Sequence, residues 1–171
     1  MRSVARPEAP KIASASAPRA HVLPRANYRP MPFDDRFGSS VGPYMACLDE
    51  TGRAVIGLEI GDFHISPRGV CHGAVIAALA DLQSLPASFE AGVLDRFTAT
   101  VSFSLDFIAP ARHGEWIELR ASLVRATRQF LFTQSLIVDA QERPVARSSG
   151  VFKIDPHADD DPEMVVHLLG L

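Results

Sequence analysis

The chain changes its hydrophobic rhythm twice, and those changes divide it into a short strand region, one helix and a long strand region. Tyr44 to Leu48 and Ala54 to Ile60 are short apolar runs separated by the turn signal Asp49-Glu50-Thr51-Gly52, which predicts two strands. A polar loop with Gly61, Asp62, Pro67 and Gly69 follows. From Gly73 to about Leu85 the chain is apolar almost all round, which predicts a helix lying deep against a sheet. After a connector the period becomes two: Val101, Phe103, Leu105 and Phe107 alternate with Thr100, Ser102, Ser104 and Asp106, and Pro110 and Gly114 end that strand. Ile117, Leu119, Ala121 and Leu123 alternate with Glu118, Arg120 and Ser122 in the next. Phe130 to Asp139 and Val145 to Ile154 make two more, joined by a polar turn around Gln141 to Arg143. The order predicts an α+β architecture, an antiparallel sheet with one helix packed on it.

The 171 residues suffice for one domain. Residues 1–30 hold Pro7, Pro10, Pro18, Pro24 and Pro30 among Ala, Ser and Arg, and are expected to form a flexible leader. The folded domain is expected over 31–155. Residues 156–171 carry Asp159, Asp160, Asp161 and Glu163 without Lys or Arg, and are expected as an acidic tail. A net charge of −3 offers no footprint for nucleic acid. No uninterrupted apolar run approaches the ~20 residues of a spanning helix, so a membrane is not an expected partner either. Cys47 and Cys71 are too few for a disulfide framework, which points to a reduced, cytoplasmic setting.

Two features of the helix carry chemistry. Asp81 is its first charge, and helical spacing puts it on one face with Ala74, Ala77, Ala78 and Ser84. Such a stripe of small residues lets a ligand or a second chain come close, and a carboxylate there suits acid–base work. The ordinary alternative is an Asp capping the following turn. At the other end, Gly69, His72 and Gly73 sit where the chain enters the helix, and the free backbone N–H groups there carry partial positive charge. A glycine lets a substrate oxygen approach its N–H, as an oxyanion site requires, although it could equally serve only a tight turn. Gly73 and Asp81 are eight residues apart, about 12 Å along the axis, so one reacting carbonyl cannot touch both within a chain. If both act on one substrate, they come from different subunits, which predicts a dimer with composite sites.

Gly69-Val70-Cys71-His72-Gly73-Ala74, followed by Leu79-Ala80-Asp81, resembles the signature of hot-dog-fold thioesterases of the phenylacetate-degradation (PaaI-like) branch. Thr100 to Ala111 resembles that family's central strand with its Pro-Ala turn, and the likeness covers roughly residues 40–154. It implies a hot-dog fold, a curved antiparallel sheet wrapped around one long central helix. It also implies hydrolysis of an acyl-CoA thioester to free acid and CoA. In that reading Asp81 activates water or attacks the carbonyl, and the Gly73 N–H of the partner subunit holds the oxyanion. Thr100 helps to position the water from the subunit that supplies Asp81, and His72 shapes the site. Where the family has Asn or Gln six residues before the histidine, this chain has Ser66, and Ala74 replaces the second glycine of a His-Gly-Gly.

CoA is part of the substrate in this reading, and neither a metal nor an organic cofactor is expected. Arg125, Arg128 and Arg147 are the candidates for its phosphates. The family's habit of pairing dimers implies a homotetramer built from the homodimer. The alternatives are a non-catalytic acyl-CoA-binding module, which the Ser66 and Ala74 departures keep open, and a hot-dog hydratase or dehydratase. Cys71 beside His72 as a thiol nucleophile, and Asp62, His64 and His72 as metal ligands, are weaker readings because neither spacing matches the chemistry.

Overall fold

The computed structural model describes residues 27–33 and 36–171 and builds the strands into one seven-stranded antiparallel sheet. The strands are β1 (Arg29–Pro30), β2 (Tyr44–Leu48), β3 (Ala54–Glu59), β4 (Thr98–Phe107), β5 (Trp116–Ala126), β6 (Phe130–Asp139) and β7 (Pro144–Ile154). Their spatial order is β1-β2-β3-β5-β6-β7-β4. The helices are α1 (Arg36–Val41), α2 (Gly73–Asp81), α3 (Ser84–Ala91) and α4 (Met164–Leu169), with a 3-10 turn at Asp62–His64. The chain leaves β3, crosses one face of the sheet through α2 and α3, and returns as β4 at the far edge. The core lies between that helical layer and the sheet: Val75, Ile76, Leu79 and Ala80 of α2 join Ile56, Leu58, Ile117, Leu119 and Ile137. The hot-dog expectation holds, as do the predicted strands.

The predicted single helix is longer than expected and interrupted. Leu82 and Gln83 stay helical in φ and ψ, but the Leu82 carbonyl is taken by the Leu85 N–H at 3.0 Å, a tightened i to i−3 bond. Pro86 is the cause: it has no N–H to offer Leu82, and its ring crowds that carbonyl. Beyond it α3 continues to Ala91 and ends on Gly92 in the left-handed conformation. Nor is α2 covered all round. Ala74 is exposed and Ala77, Ala78 and Asp81 are half-buried, so the small-residue stripe stays open in a single chain.

Both chain ends depart from the sequence reading. Of the leader expected over 1–30, residues 1–26 lie outside the described residues, whereas Arg29 and Pro30 pair with Ala46 and Met45 as β1. The stretch 156–171, expected as an acidic tail, carries α4, whose Met164, Val165 and Leu169 are buried in the core. Its acids hold the segment in place: Asp161 accepts the Glu163 N–H at 3.0 Å and contacts His167 Nδ1 at 2.6 Å. Among the described residues, no helix is long and apolar enough to cross a membrane.

β4 is the exposed edge of the sheet. Its Val101 and Phe107 are each 58% exposed, and Ile108 just beyond is 53% exposed. A ten-residue edge with unpaired backbone groups and apolar side chains is a surface made for pairing.

Candidate active site

Asp81 ends α2 and faces the start of β4, where the Thr100 hydroxyl donates to Asp81 Oδ1 at 2.8 Å. Strict alternation places Thr100 on the opposite face from Leu105 and Phe107, yet Leu105 packs against the core and Phe107 lies against Gly73. A bulge resolves this. The pairing of β4 with β7 slips between Thr100 and Ser102, since Thr100 faces Phe152 and Ser102 faces Val151. The extra residue, Val101, turns Thr100 to the helix side, and a bulge beside a reactive group commonly serves to re-aim a side chain in this way. One carboxylate oxygen is thereby fixed, and Oδ2 carries no hydrogen bond among the described residues.

The N-terminus of α2 is arranged around a single spare donor. His72 is the N-cap, and its Nδ1 accepts the Ala74 N–H at 3.0 Å. The Val75 and Ile76 N–H groups reach His72 O at 2.9 and 3.5 Å. Gly73 is left with the first-turn N–H that meets no acceptor among the described residues, at the positive end of the helix. A Cβ on Gly73 would stand 3.2 Å from the Phe107 ring, so glycine keeps this approach narrow but open. Ser66 lies nearby, but its hydroxyl donates to Val70 O at 2.8 Å and its own N–H goes to the same carbonyl. Its proton closes the loop rather than pointing at a substrate, unlike the Asn or Gln it replaces in the resemblance.

Gly73 and Asp81 open into different cavities. One of about 470 Å³ is lined by Ser66, Arg68, His72, Gly73 and Phe107 among others. The other, about 510 Å³, is lined by Asp81, Thr100, Leu85, Ser88, Arg96 and Leu168 among others, and the two share no residue. Within one chain the structure therefore brings Asp81 to Thr100 and Gly73 to His72 and Ser66, and does not bring the two groups together.

Beneath Asp81, the fully buried Gln83 ties the helix junction to the sheet. Its Nε2 donates to Ser148 Oγ at 3.0 Å, its Oε1 accepts from Thr133 Oγ1 at 2.8 Å, and Ser148 is bonded to Ser135 at 2.7 Å. Sequence reading did not single out this residue, since a polar side chain near a helix end carries no pattern of its own.

The arginines separate from the sequence reading. Arg125 and Arg128 flank the β5–β6 turn, and Arg147 sits on the face away from α2, paired with Asp106 at 2.8 Å. None of the three lines either cavity, whereas Arg68 and Arg96 do. Burial pushes the Cys71 thiol up to about 11, which leaves it protonated and inert as a nucleophile. Asp62 contacts His113 at 3.1 Å and His64 Nδ1 accepts the Gly61 N–H at 3.1 Å, and no group of three or more His, Cys, Asp or Glu is placed to hold a metal among the described residues.

Comparison with known proteins agrees with this fold. The thioesterase superfamily profile matches residues 68–146, the span from the Gly73 cavity to the start of β7. A Pseudomonas aeruginosa protein, PA0474, named for an inferred esterase activity, is 29% identical over 114 residues, covering 67% of this chain and 84% of that one. Among solved structures, the PaaI protein of the Escherichia coli phenylacetic acid degradation operon superposes with a TM-score of 0.63 at 20% identity, over 74% of this chain and 88% of that one. The TT0310 protein of Thermus thermophilus gives 0.59 at 26% identity, over 71% and 98%. The smu.793 protein of Streptococcus mutans, solved bound to acetyl CoA, gives 0.61 at 16% identity, over 70% and 93%. Residues 68–146 are thus similar to the thioesterase superfamily, the fold is the hot-dog fold of the PaaI proteins, and the likeness supports a thioester hydrolase.

Proposed function

We propose that this protein hydrolyses an acyl-CoA thioester at a site made by two subunits. The observation that carries the reading is the division of labour along α2: a carboxylate held by a hydroxyl at one end, a lone N–H donor at the other, each in its own cavity. Eight residues of helix separate them by about 12 Å, so the two groups meet only across a subunit boundary. The open β4 edge supplies the means. Antiparallel pairing of two β4 strands about a two-fold axis sets the Thr100 end of one against the Phe107 end of the other, and so Asp81 against the partner's Gly73. The apolar groups exposed on β4 and the small-residue face of α2 are covered by the same association. A dimer is the minimum, and a pair of dimers is the expected assembly.

In this mechanism the thioester oxygen rests on the partner subunit's Gly73 N–H, where negative charge develops as the carbonyl becomes tetrahedral. Water stands beside Asp81 and Thr100. The Thr100 hydroxyl has given its proton to a hydrogen bond with Oδ1, so its lone pairs accept from the water while Oδ2 takes the other hydrogen. The new C–O bond forms, the C–S bond breaks, and the proton held by Asp81 leaves with the CoA sulfur. The chemistry calls on no metal and no organic cofactor. CoA as the thiol is supported by the bound acetyl CoA and CoA of structurally similar proteins from Streptococcus mutans and Streptococcus pneumoniae.

The test is thiol release from a panel of aryl- and short- to long-chain acyl-CoAs. Steady release from at least one of them is expected, and none from any, with the protein folded and associated, would return the fold to a binding role. Arg68 lines the Gly73 cavity and is placed to meet the anionic CoA. Its replacement by Ala is expected to raise KM by about 3- to 10-fold with kcat nearly unchanged, as for a charge-assisted contact at a partly exposed rim. An unchanged KM would direct the nucleotide elsewhere.

A further inference from the structure

Asp81 sits on the turn where its helix is interrupted. The Leu82 and Gln83 N–H groups reach back to Leu79 O and Ala80 O, both at 3.2 Å, a tightened pattern with poorer geometry than the α-helical one. Leu79 and Ala80 hold this end of α2 on the sheet by apolar contact, which is non-directional and does not fix where along the strands the helix end rests. Gln83 supplies a directional tie. Its side chain is fully buried, lines neither cavity, and is bonded at both ends of its amide, to Ser148 of β7 and Thr133 of β6. Thr100 takes its place from β7 as well, because its register in β4 is set opposite Phe152. The carboxylate and the hydroxyl that meet at 2.8 Å are therefore both referred to one strand, the first through Gln83 and Ser148, the second through the bulged pairing.

We propose that Gln83 is a positioning residue for the reaction: by fastening the end of α2 to β6 and β7, it sets the Asp81 carboxylate where Thr100 can hold it toward water. Gln83 touches no reacting atom and acts through Asp81. The inference rests on the thioesterase reading and adds to it a residue that the mechanism above does not use. Burial alone would be served by apolar side chains between helix and sheet, whereas a buried amide bonded at both ends admits a single register. Removing that amide strands no hydroxyl, since Ser148 and Ser135 keep each other at 2.7 Å and Thr133 has Gly150 O at 3.4 Å. Gln83→Met, close in volume and in helix preference, thus separates position from stability.

The test compares the intact native protein, Gln83→Met, Thr100→Val and the double variant on the best acyl-CoA of the panel. Gln83→Met is expected to lower kcat about tenfold, with KM within about twofold of native and the melting temperature within a few degrees. In the Thr100→Val background the contact that Gln83 serves is already gone, so Gln83→Met is expected to cost less than about twofold more. A purely structural role gives multiplied losses in the double variant instead, and that result would overturn the inference. So would a kcat for Gln83→Met within about twofold of native. Should Gln83→Met fail to fold, Ser148→Ala cuts one tie and spares the one to Thr133; it is expected to lower kcat about threefold, again without adding to Thr100→Val. Amide hydrogen exchange reads position without turnover. Faster exchange in Gln83→Met is expected at residues 81–85 and 98–102 alone, and unchanged exchange there, or a rise across the whole sheet, would count against Gln83. Absence of thiol release by the native protein from every compound sinks the hydrolase reading instead, and the exchange pattern still decides the role of Gln83.

Discussion

Asp81→Asn is expected to lower kcat for thiol release by about 10²–10⁴-fold, the usual worth of a positioned proton acceptor. The substitution keeps size and keeps an oxygen that can accept from Thr100, so the 2.8 Å bond and the helix end are preserved. What it removes is the capacity to take a proton from water. Asp81 is half-buried and makes no ion pair among the described residues, so the melting temperature should move by no more than a few degrees. KM should stay near its native value, because the group acts on water and not on the bound acyl-CoA. Thr100→Val, which leaves the carboxylate charged but unanchored, is expected to cost about tenfold in kcat. Thiol release by Asp81→Asn within a few-fold of native, measured on the best substrate of the panel, would move the proton acceptor elsewhere.

The second large effect comes from a backbone group. Gly73→Pro deletes the N–H and puts the ring Cδ in its place while sparing the helix start: Pro is well suited to the first position of a helix, and His72 already holds the extended conformation (φ −66, ψ 134) that a following proline demands. Gly73→Ala adds the same Cβ beside Phe107 but retains the N–H. The pair therefore separates crowding by the Cβ from loss of the donor at the backbone nitrogen. Gly73→Pro is expected to lose about 10²–10³-fold in kcat relative to Gly73→Ala, the loss seen when one oxyanion donor is removed. Equal activity of the two variants would show that the N–H does not meet the developing charge.

Much of this was legible in the sequence, because the signals are periodic or chemically singular. The alternation over β4 to β7 and the apolar run of α2 required only the two repeat lengths of strand and helix, and Asp81 stood out as the first charge on an apolar helix. Gly73 was legible as a glycine at a helix start. What the pattern missed depends on contacts distant in the chain. The bulge at Val101 breaks the alternation by a single residue in a sequence that alternates smoothly, and only the pairing with Phe152 and Val151 reveals that Thr100 faces the helix. α4 was hidden because the acids before it outweigh Met164, Val165 and Leu169 in composition, although those side chains complete the core. The burial of Gln83 and the unmatched Ser88 hydroxyl are properties of surroundings that no local rule records. Arg68 and Arg96 differ from the other arginines only in which cavity they reach.

If each site draws Asp81 from one subunit and Gly73 from the other, two inactive variants restore activity when they are mixed. Asp81→Asn and Gly73→Pro proteins are each prepared, confirmed inactive, then dissociated and reassociated together in equal amounts. In a mixed dimer, one site combines both defects, and the other combines the intact Asp81 of one chain with the intact Gly73 of its partner. Random reassociation should therefore restore about a quarter of the native activity per site. Thiol release that stays at the level of the separate variants, with mixed dimers demonstrated by mass, would contradict the composite site.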